Sequence, residues 1–229
     1  MKINLSIICL LSLIFVSCKK NDSSSTTTPS ADNYITTSGG SSWNYHLIDS
    51  STSVPVSSNY TLTSTTRDSS INGKNYHVFT NSTGGNQYQY LSGHDYYEYD
   101  SLAVAANLNA NAIERLYLKD DAALGATWSQ NMNVSVPGSQ IPVPFTISNS
   151  ITEKGIQRTV NGISYSNVIH VSTAISSPFI PSASLVTSIN SYYAPKFGLI
   201  ENSNVIHLNF AGIVVDVKTT TTLMSATLK

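Results

Sequence analysis

The sequence predicts a mainly β protein: a single domain of curved antiparallel sheet, half-barrel or sandwich-like, with a degenerate two-fold internal repeat and at most one short helix. Three observations predict it. Charged residues make up only 11% of the 229 positions, against about 25% in ordinary globular chains. Ser, Thr and Asn take their place, and these side chains compete for backbone hydrogen bonds and disfavour helix interiors. Two Asn-Gly pairs, Asn72-Gly73 and Asn161-Gly162, stand between strand-like runs, as a type I′ hairpin requires. Apolar residues recur at every second position in runs such as "VIHLNF", where Ile206, Leu208 and Phe210 share a face and His207 and Asn209 take the other.

The start of the chain is organised differently. Lys2 precedes an apolar run from Ile7 to Val16, long enough for a secretory signal and too short to span a bilayer. The run closes in "FVSC", which resembles a bacterial lipobox, so residues 1–17 read as a lipoprotein signal peptide cleaved before Cys18. Cleavage removes Cys9, and a diacylglycerol on Cys18 consumes the one other cysteine. Neither a disulfide nor a cysteine-based metal or catalytic site is then available. Each buried lipid CH₂ contributes about 0.8 kcal/mol, so two or three acyl chains hold a protein in a leaflet. Residues 18–33 form the lipidated cysteine and a polar, Ser/Thr-rich tether without apolar period. The expected location is the cell envelope, lipid-anchored to the outer membrane, with the side it faces left open.

Residues 34–229 read as the β-rich domain, its repeat halves spanning about 34–118 and 119–229. Three marks recur in order: Gly-x-x-Trp, ending at Trp43 and Trp128; the two Asn-Gly turns; and a Tyr-Tyr pair, at Tyr96-Tyr97 and Tyr192-Tyr193. The tryptophans lie 85 residues apart and the turns 89. Hairpin geometry pairs Ile71 with Lys74 and Arg67 with Val78 around the first turn. Around the second it pairs Val160 with Ile163 and Arg158 with Tyr165, with a bulge near Asn167 where alternation breaks. Pro137, Pro142 and Pro144 place their stretch at a sheet edge or outside the ladder. "SSPFIPSAS" is a loop. The Ala-rich stretch between Ser101 and Leu118 is the one place for a short helix, although its asparagines oppose a long one.

"SYYAPKFGLIE", from Ser191 to Glu201, resembles a motif of uncharacterised Gram-negative envelope lipoproteins: Tyr-Tyr/Phe-Ala-Pro-x-x-Gly-Leu-Ile/Val near the C-terminus. An upstream Gly-x-x-Trp, matched here at Trp128, accompanies it. That group is similar in fold to the lipoprotein-carrier proteins, so the resemblance implies a strongly curved antiparallel half-barrel with a helix in its mouth. The present chain has little predicted helix to fill that role. Trp43, Trp128, Tyr192, Tyr193, Pro195 and Gly198 therefore read as structural marks, with Pro195 ending a strand segment and Gly198 allowing a close approach or bulge.

No catalytic constellation emerges. The five histidines form no HxH or HExxH pair, and no serine sits in a GxSxG elbow. Asp120-Asp121 suits a solvated turn, and Asp95, Glu98 and Asp100 lack the loop spacing of a calcium site. No cofactor motif, metal site or catalytic residue is assigned, and the chain reads as a non-enzyme. Net charge is −1, or −2 once the leader is gone, without a basic patch for nucleic acid. What stands out is "YQYLSGHDYYEY", which holds five of the thirteen tyrosines. A two-residue Gly93-His94 turn sets Tyr90 opposite Tyr97 and Tyr88 opposite Tyr99, all on one face, with Gln89, Leu91, Tyr96 and Glu98 on the other. Such a face can bind a glycan or peptide. Tyrosine is also a good strand former whose cross-strand pairs contribute about 0.2–1 kcal/mol each, and packing against the domain is the reading favoured from sequence. The functional expectation is an envelope-anchored module that binds a glycan, lipid or protein ligand. The alternative is a lipid or lipoprotein carrier or chaperone with an apolar cavity in the curved sheet.

Overall fold

A computed structural model describes residues 33–100, 103–105, 108–110, 112–135, 142–210 and 212–229. The leader, Cys18, the tether up to residue 32 and Pro137 lie outside the described residues. The chain runs as a meander through β1 (Ser42–Asp49), β2 (Val56–Ile71), β3 (Lys74–Asn81), β4 (Asn86–Ser92) and β5 (Asp95–Asp100). Two short strands follow, β6 (Ala103–Ala105) and β7 (Leu108–Ala110), before β8 (Ile113–Lys119) returns to pair with β5. A second meander comprises β9 (Thr127–Ser135), β10 (Val143–Val160), β11 (Ile163–Ser176), β12 (Leu185–Ala194), β13 (Gly198–Phe210) and β14 (Ile213–Thr227). Its last strand pairs with β1, joining both meanders into one antiparallel sheet.

That sheet curves until its ends meet. β8 and β9 are the outermost long strands in the order β6-β7-β9-β10-β11-β12-β13-β14-β1-β2-β3-β4-β5-β8. Among the described residues no backbone ladder joins them. Instead the Trp128 indole N–H donates to the Leu116 carbonyl at 2.9 Å, and the Gln130 amide donates to the Glu114 carbonyl. The small β7 pairs with β6 and with the far end of β9, at Val134 and Ser135. The result is a nearly closed barrel with one seam held by side chains.

Local sequence explains most of the register. Both Asn-Gly turns have positive φ at both residues: 51° and 79° at Asn72-Gly73, 49° and 81° at Asn161-Gly162. This is the conformation that a type I′ turn demands and that Asn and Gly tolerate. Ile71 faces Lys74, Val160 faces Ile163 and Arg158 faces Tyr165, as expected. The bulge near Asn167 is present, with φ 55° at that residue. Arg67 does not face Val78, however. The register slips between Ser64 and Asp68, because the Thr65 hydroxyl donates to the Val78 carbonyl at 2.6 Å and accepts from the Arg67 N–H at 3.1 Å. A side chain there replaces a rung of the ladder. Pro144 lies in the ladder against Asn133 of β9. It sits one residue into β10, before the β11 ladder begins at Thr146, so its missing N–H takes nothing from that ladder.

Among the described residues there is no helix, and the stretch that could have held one contains strand instead. Cross-strand partners override local preference: the alanine-bearing β6 and β7 pair with each other and β7 with β9, while Ile113 to Lys119 pair with five residues of the Tyr-rich hairpin and with Asp100. The mouth that a helix would fill is occupied by two other segments. The tip of the β10–β11 hairpin brings Val160, Tyr165 and Val168 into a cluster with Trp43, Tyr45, Phe79 and Leu223, and Asn161 donates to the Leu223 carbonyl at 2.9 Å. The chain before β1 crosses nearby as a strap. Tyr34 is buried against Tyr96, Ile151 and Ile169, and its backbone N–H donates to the Tyr96 hydroxyl at 3.0 Å. Its own hydroxyl donates to the Asn167 carbonyl at 2.5 Å.

The Tyr192–Ile200 motif is where this strap docks. Pro195 to Phe197 form the turn between β12 and β13, the Lys196 N–H donates to the Asn33 carbonyl at 2.7 Å, and the Thr36 hydroxyl donates to the Lys196 carbonyl at 2.8 Å. Gly198 has φ 68°, and a Cβ there would stand 3.3 Å from the Tyr34 carbonyl oxygen. Glycine is required on both counts.

The barrel interior is layered. One end is apolar, built from Met132, Val134, Phe145, Ile147, Leu185 and Leu208 with their neighbours. The other end holds the two clusters around Trp43 and Tyr34. Alternation on β12, β13 and β14 turns polar residues inward between them, including Ser191, Asn202, Asn204 and Thr221.

Candidate binding sites: an outer tyrosine wall and a polar lumen

Alternation along the β4–β5 hairpin creates two different surfaces from one stretch. Tyr88 faces Tyr99, Gln89 faces Glu98, Tyr90 faces Tyr97 and Leu91 faces Tyr96, with Gly93 at φ 62° opening the turn. Gln87, Gln89 and Glu98 line the interior. Tyr88, Tyr90, Tyr97 and Tyr99 consequently lie on the outer wall. They do not pack against the other half of the domain, as the sequence reading favoured. Each is half-buried, and Tyr90, Tyr97 and Tyr99 gather around Tyr76 of β3, which is 1% exposed. Tyr76 contacts Tyr90 and Tyr99 with centroids 5.6 and 5.9 Å away, and Tyr90 and Tyr97 are 5.8 Å apart.

Charged groups frame this wall. Lys74 stands 4.9 Å from the Tyr97 ring centroid and 5.6 Å from that of Tyr90, and contacts both Glu114 oxygens at 2.7 and 2.8 Å. The Tyr76 hydroxyl also donates to Glu114. Partial burial opposes the Glu114 charge, but the bonds from Lys74 and Tyr76 outweigh it and hold the carboxyl below its ordinary range. Lys119 and Asp95 pair at 3.0 Å along the rim. The wall is thus an aromatic surface with a fixed cation and with carboxylates at its edges, a composition suited to stacking and hydrogen bonding with a flexible polar chain.

The inner surface is a second candidate: the carrier alternative expects a cavity in the curved sheet, but an apolar one, whereas the cavity found is lined by charged and amide side chains as well. A cavity of about 420 Å³ occupies the barrel's waist, walled by Glu98, Arg115, Tyr117, Asn149, Thr173, Tyr193, Asn202 and Thr221 among others. A smaller one of about 130 Å³ adjoins it and shares Tyr60, Gln87, Glu98, Tyr117, Tyr193 and Leu199. Arg115 donates to Glu98 at 2.8 Å. Although both point inward, 32% and 18% of their side-chain surfaces remain accessible, so the waist is hollow rather than filled. Burial works against the Arg115 charge, yet Glu98 beside it holds the guanidinium above its ordinary value. Thr173 donates to Asn149 at 2.7 Å and Asn202 to Ser191 at 2.9 Å. The one signal in the sequence was the polar character of the hairpin face opposite the tyrosines.

Burial also controls the tyrosines inside. Desolvation, with smaller charge effects, pushes Tyr34, Tyr60 and Tyr193 up to about 12. A group whose folded value is raised contributes stability below its unfolded value near 10 and loses it as pH climbs towards the folded value. The unfolding free energy is therefore expected to stay level up to pH 10 and to fall between pH 10 and 12. Urea titrations from pH 8 to 11.5 check this, and a midpoint unchanged at pH 11.5 would contradict the burial of these hydroxyls.

The remaining marked residues divide by position. Trp43 lies in the mouth cluster and Trp128 at the seam. Tyr193 turns into the lumen, and Tyr192 turns outward between His170, 4.2 Å away in a stacked pair, and the Arg158 guanidinium at 3.3 Å. Asp120 is not a solvated turn residue. Its side chain is 6% exposed and accepts the Tyr96 hydroxyl and a His94 ring nitrogen, each at 2.6 Å. The five histidines all engage side-chain partners: His46 with Asn59, His77 with Ser64, His94 with Asp120, His170 with Asn190 and His207 with Asp216. Cys18 lies outside the described residues.

The barrel architecture has a solved counterpart. A Parabacteroides distasonis protein designated a putative lipoprotein superposes with a TM-score of 0.51 at 10% identity, covering 86% of this chain and 99% of its own. A Bacteroides fragilis protein designated a putative exported protein with YmcC-like fold gives 0.48 at 9% identity, with the same coverages. At such identity the first likeness concerns the fold alone. No protein family and no curated protein is matched by the chain.

Proposed function

We propose that the protein is a non-enzymatic binding module of the cell envelope, anchored to the outer membrane through a lipid on Cys18. In this reading it belongs among the Gram-negative envelope lipoproteins that its Tyr192–Ile200 motif resembles. It engages a glycan or an extended partner through the outer tyrosine wall. The observation that carries the reading is the placement of Tyr88, Tyr90, Tyr97 and Tyr99 on the outside of the barrel, half-buried, with Lys74 beside Tyr90 and Tyr97. A surface of four rings offers large amphipathic contact area at little entropic cost, because each tyrosine has few rotatable bonds.

The test uses the full chain, solubilised in detergent. A screen of glycans and peptidoglycan fragments should find a polymeric ligand whose binding weakens at least tenfold in the Tyr90→Ala/Tyr97→Ala double variant. Unchanged binding would refute the wall as the site. In cells, Cys18→Ala should abolish labelling by radioactive fatty acid, and continued labelling would refute the anchor.

A further inference from the structure

We infer that the polar waist of the barrel is a second binding site, distinct from the outer wall, and that it takes a small uncharged sugar. The argument begins with the cost of the arrangement. A barrel interior is stabilised by apolar packing, and here an ion pair and a belt of amides and hydroxyls interrupt it between two apolar ends. Burying such groups costs free energy unless they remain hydrogen-bonded, and apolar residues of like volume often serve stability as well or better than an internal ion pair. The volume of about 420 Å³ lies within the roughly 300–1,000 Å³ range of small-ligand sites.

The lining selects among ligand classes. An acyl chain would strip water from Glu98, Arg115 and the amides without replacing a hydrogen bond. The charged groups that face each other across the wall, Glu98 and Arg115, already neutralise one another, so an anionic ligand finds no uncompensated cation there. The amides and hydroxyls on the remaining wall suit a neutral polyol, and Ile175, Ile189 and Ile206 beside them suit the C–H faces of a sugar ring. A guanidinium carries five N–H donors and a carboxylate about four acceptor positions, so the Arg115–Glu98 pair retains capacity for adjacent hydroxyls. Tyr117 and Tyr193, with ring centroids 5.4 Å apart, supply aromatic faces on the same wall. The seam lies next to this site. Arg115 and Tyr117 belong to β8, and the two hydrogen bonds from Trp128 and Gln130 are all that the described residues provide in place of a ladder.

Calorimetric titration of the detergent-solubilised full chain tests the inference, with N-acetylglucosamine, maltose, glucuronate and octanoate as probes. One of the two neutral sugars is expected to give binding heat, and the two anions none. Affinity should fall at least tenfold in Glu98→Gln/Arg115→Gln and stay within twofold in Tyr90→Ala/Tyr97→Ala. Asn204→Phe, which fills the cavity and leaves the ion pair in place, should reduce it likewise and covers the case in which the double variant unfolds. Absence of heat with both sugars, tighter binding of glucuronate or octanoate, or full affinity in folded Asn204→Phe would overturn the inference. Loss of sugar binding in the tyrosine variant alone would also overturn it and place that sugar on the outer wall. The wall reading fails separately, on polymer binding.

Discussion

Replacing Tyr34 with alanine should cost about 3–5 kcal/mol of unfolding free energy, the range for removing a buried aromatic side chain. That would be a large share of the roughly 5–15 kcal/mol that a domain possesses. The residue is 7% exposed and lies edge-on to Tyr96, with ring centroids 6.3 Å apart. Truncation opens a cavity between β5, β10 and β11, and leaves the Asn167 carbonyl at a positive-φ bulge without its partner. Tyr34→Phe retains the ring and removes only the hydroxyl, so about 1 kcal/mol is expected from that single bond. Urea unfolding of the three proteins measures both differences. A loss below 1 kcal/mol in Tyr34→Ala would show that the strap is dispensable. Tyr34→Ala should also expose residues 33–38 to limited proteolysis at enzyme concentrations that spare the parent.

The second large effect belongs to Arg115. Converting it to methionine leaves Glu98 facing the lumen without its guanidinium. Breaking a fully buried pair costs about 3–5 kcal/mol. Because a third of the Arg115 side chain is still accessible, water can recover part of that loss, and about 2 kcal/mol is expected. The sign of the coupling is the sharper test. Adding Glu98→Gln to Arg115→Met removes the orphaned charge, so the double variant should be more stable than Arg115→Met alone, by about 1 kcal/mol. Strictly additive losses in this double-mutant cycle would mean that the two side chains do not act on each other.

These effects show which parts of the molecule are legible from sequence. The Asn-Gly turns and the Gly93-His94 turn carry their own φ requirements, so the pairings beside them follow from a few residues. The alternation of Ile206 and Leu208, buried, with Val205, His207 and Asn209, exposed, follows from strand period. Features that depend on partners distant in the chain are not legible in this way. Thr65 displaces Arg67 from Val78 through a side-chain bond that no local pattern encodes. The stretch before Leu118 takes its strands from partners, not from its own propensity: the alanine-bearing β6 and β7 from each other and β9, and β8 from β5. Asp120 resembles a surface turn residue until Tyr96 and His94 are brought to it. The lumen is hardest of all, since Glu98 and Asn202 share a wall only after thirteen antiparallel pairings have formed the sheet. Of the recurring marks, Trp43 and Trp128 open the first strand of each meander, and the Asn-Gly turns close the second strand of each. The tyrosine pairs fall on the fifth strand of one and the fourth of the other.

The seam between β8 and β9 has a consequence for crowding. A strand edge with unpaired N–H and C=O groups is a template on which another chain can add a strand. In this barrel each of the two candidate edges is blocked by the other, and the Trp128 and Gln130 side chains occupy carbonyls that a neighbouring copy would otherwise use. If the chain is anchored as proposed, copies confined to a membrane surface meet far more often than copies in bulk solution, and self-templating becomes a hazard there. Trp128, partly buried beside the Tyr96–Leu118 cluster, would thereby act as a latch against strand addition, and its indole N–H, which phenylalanine lacks, is the part of the ring that fills the Leu116 carbonyl.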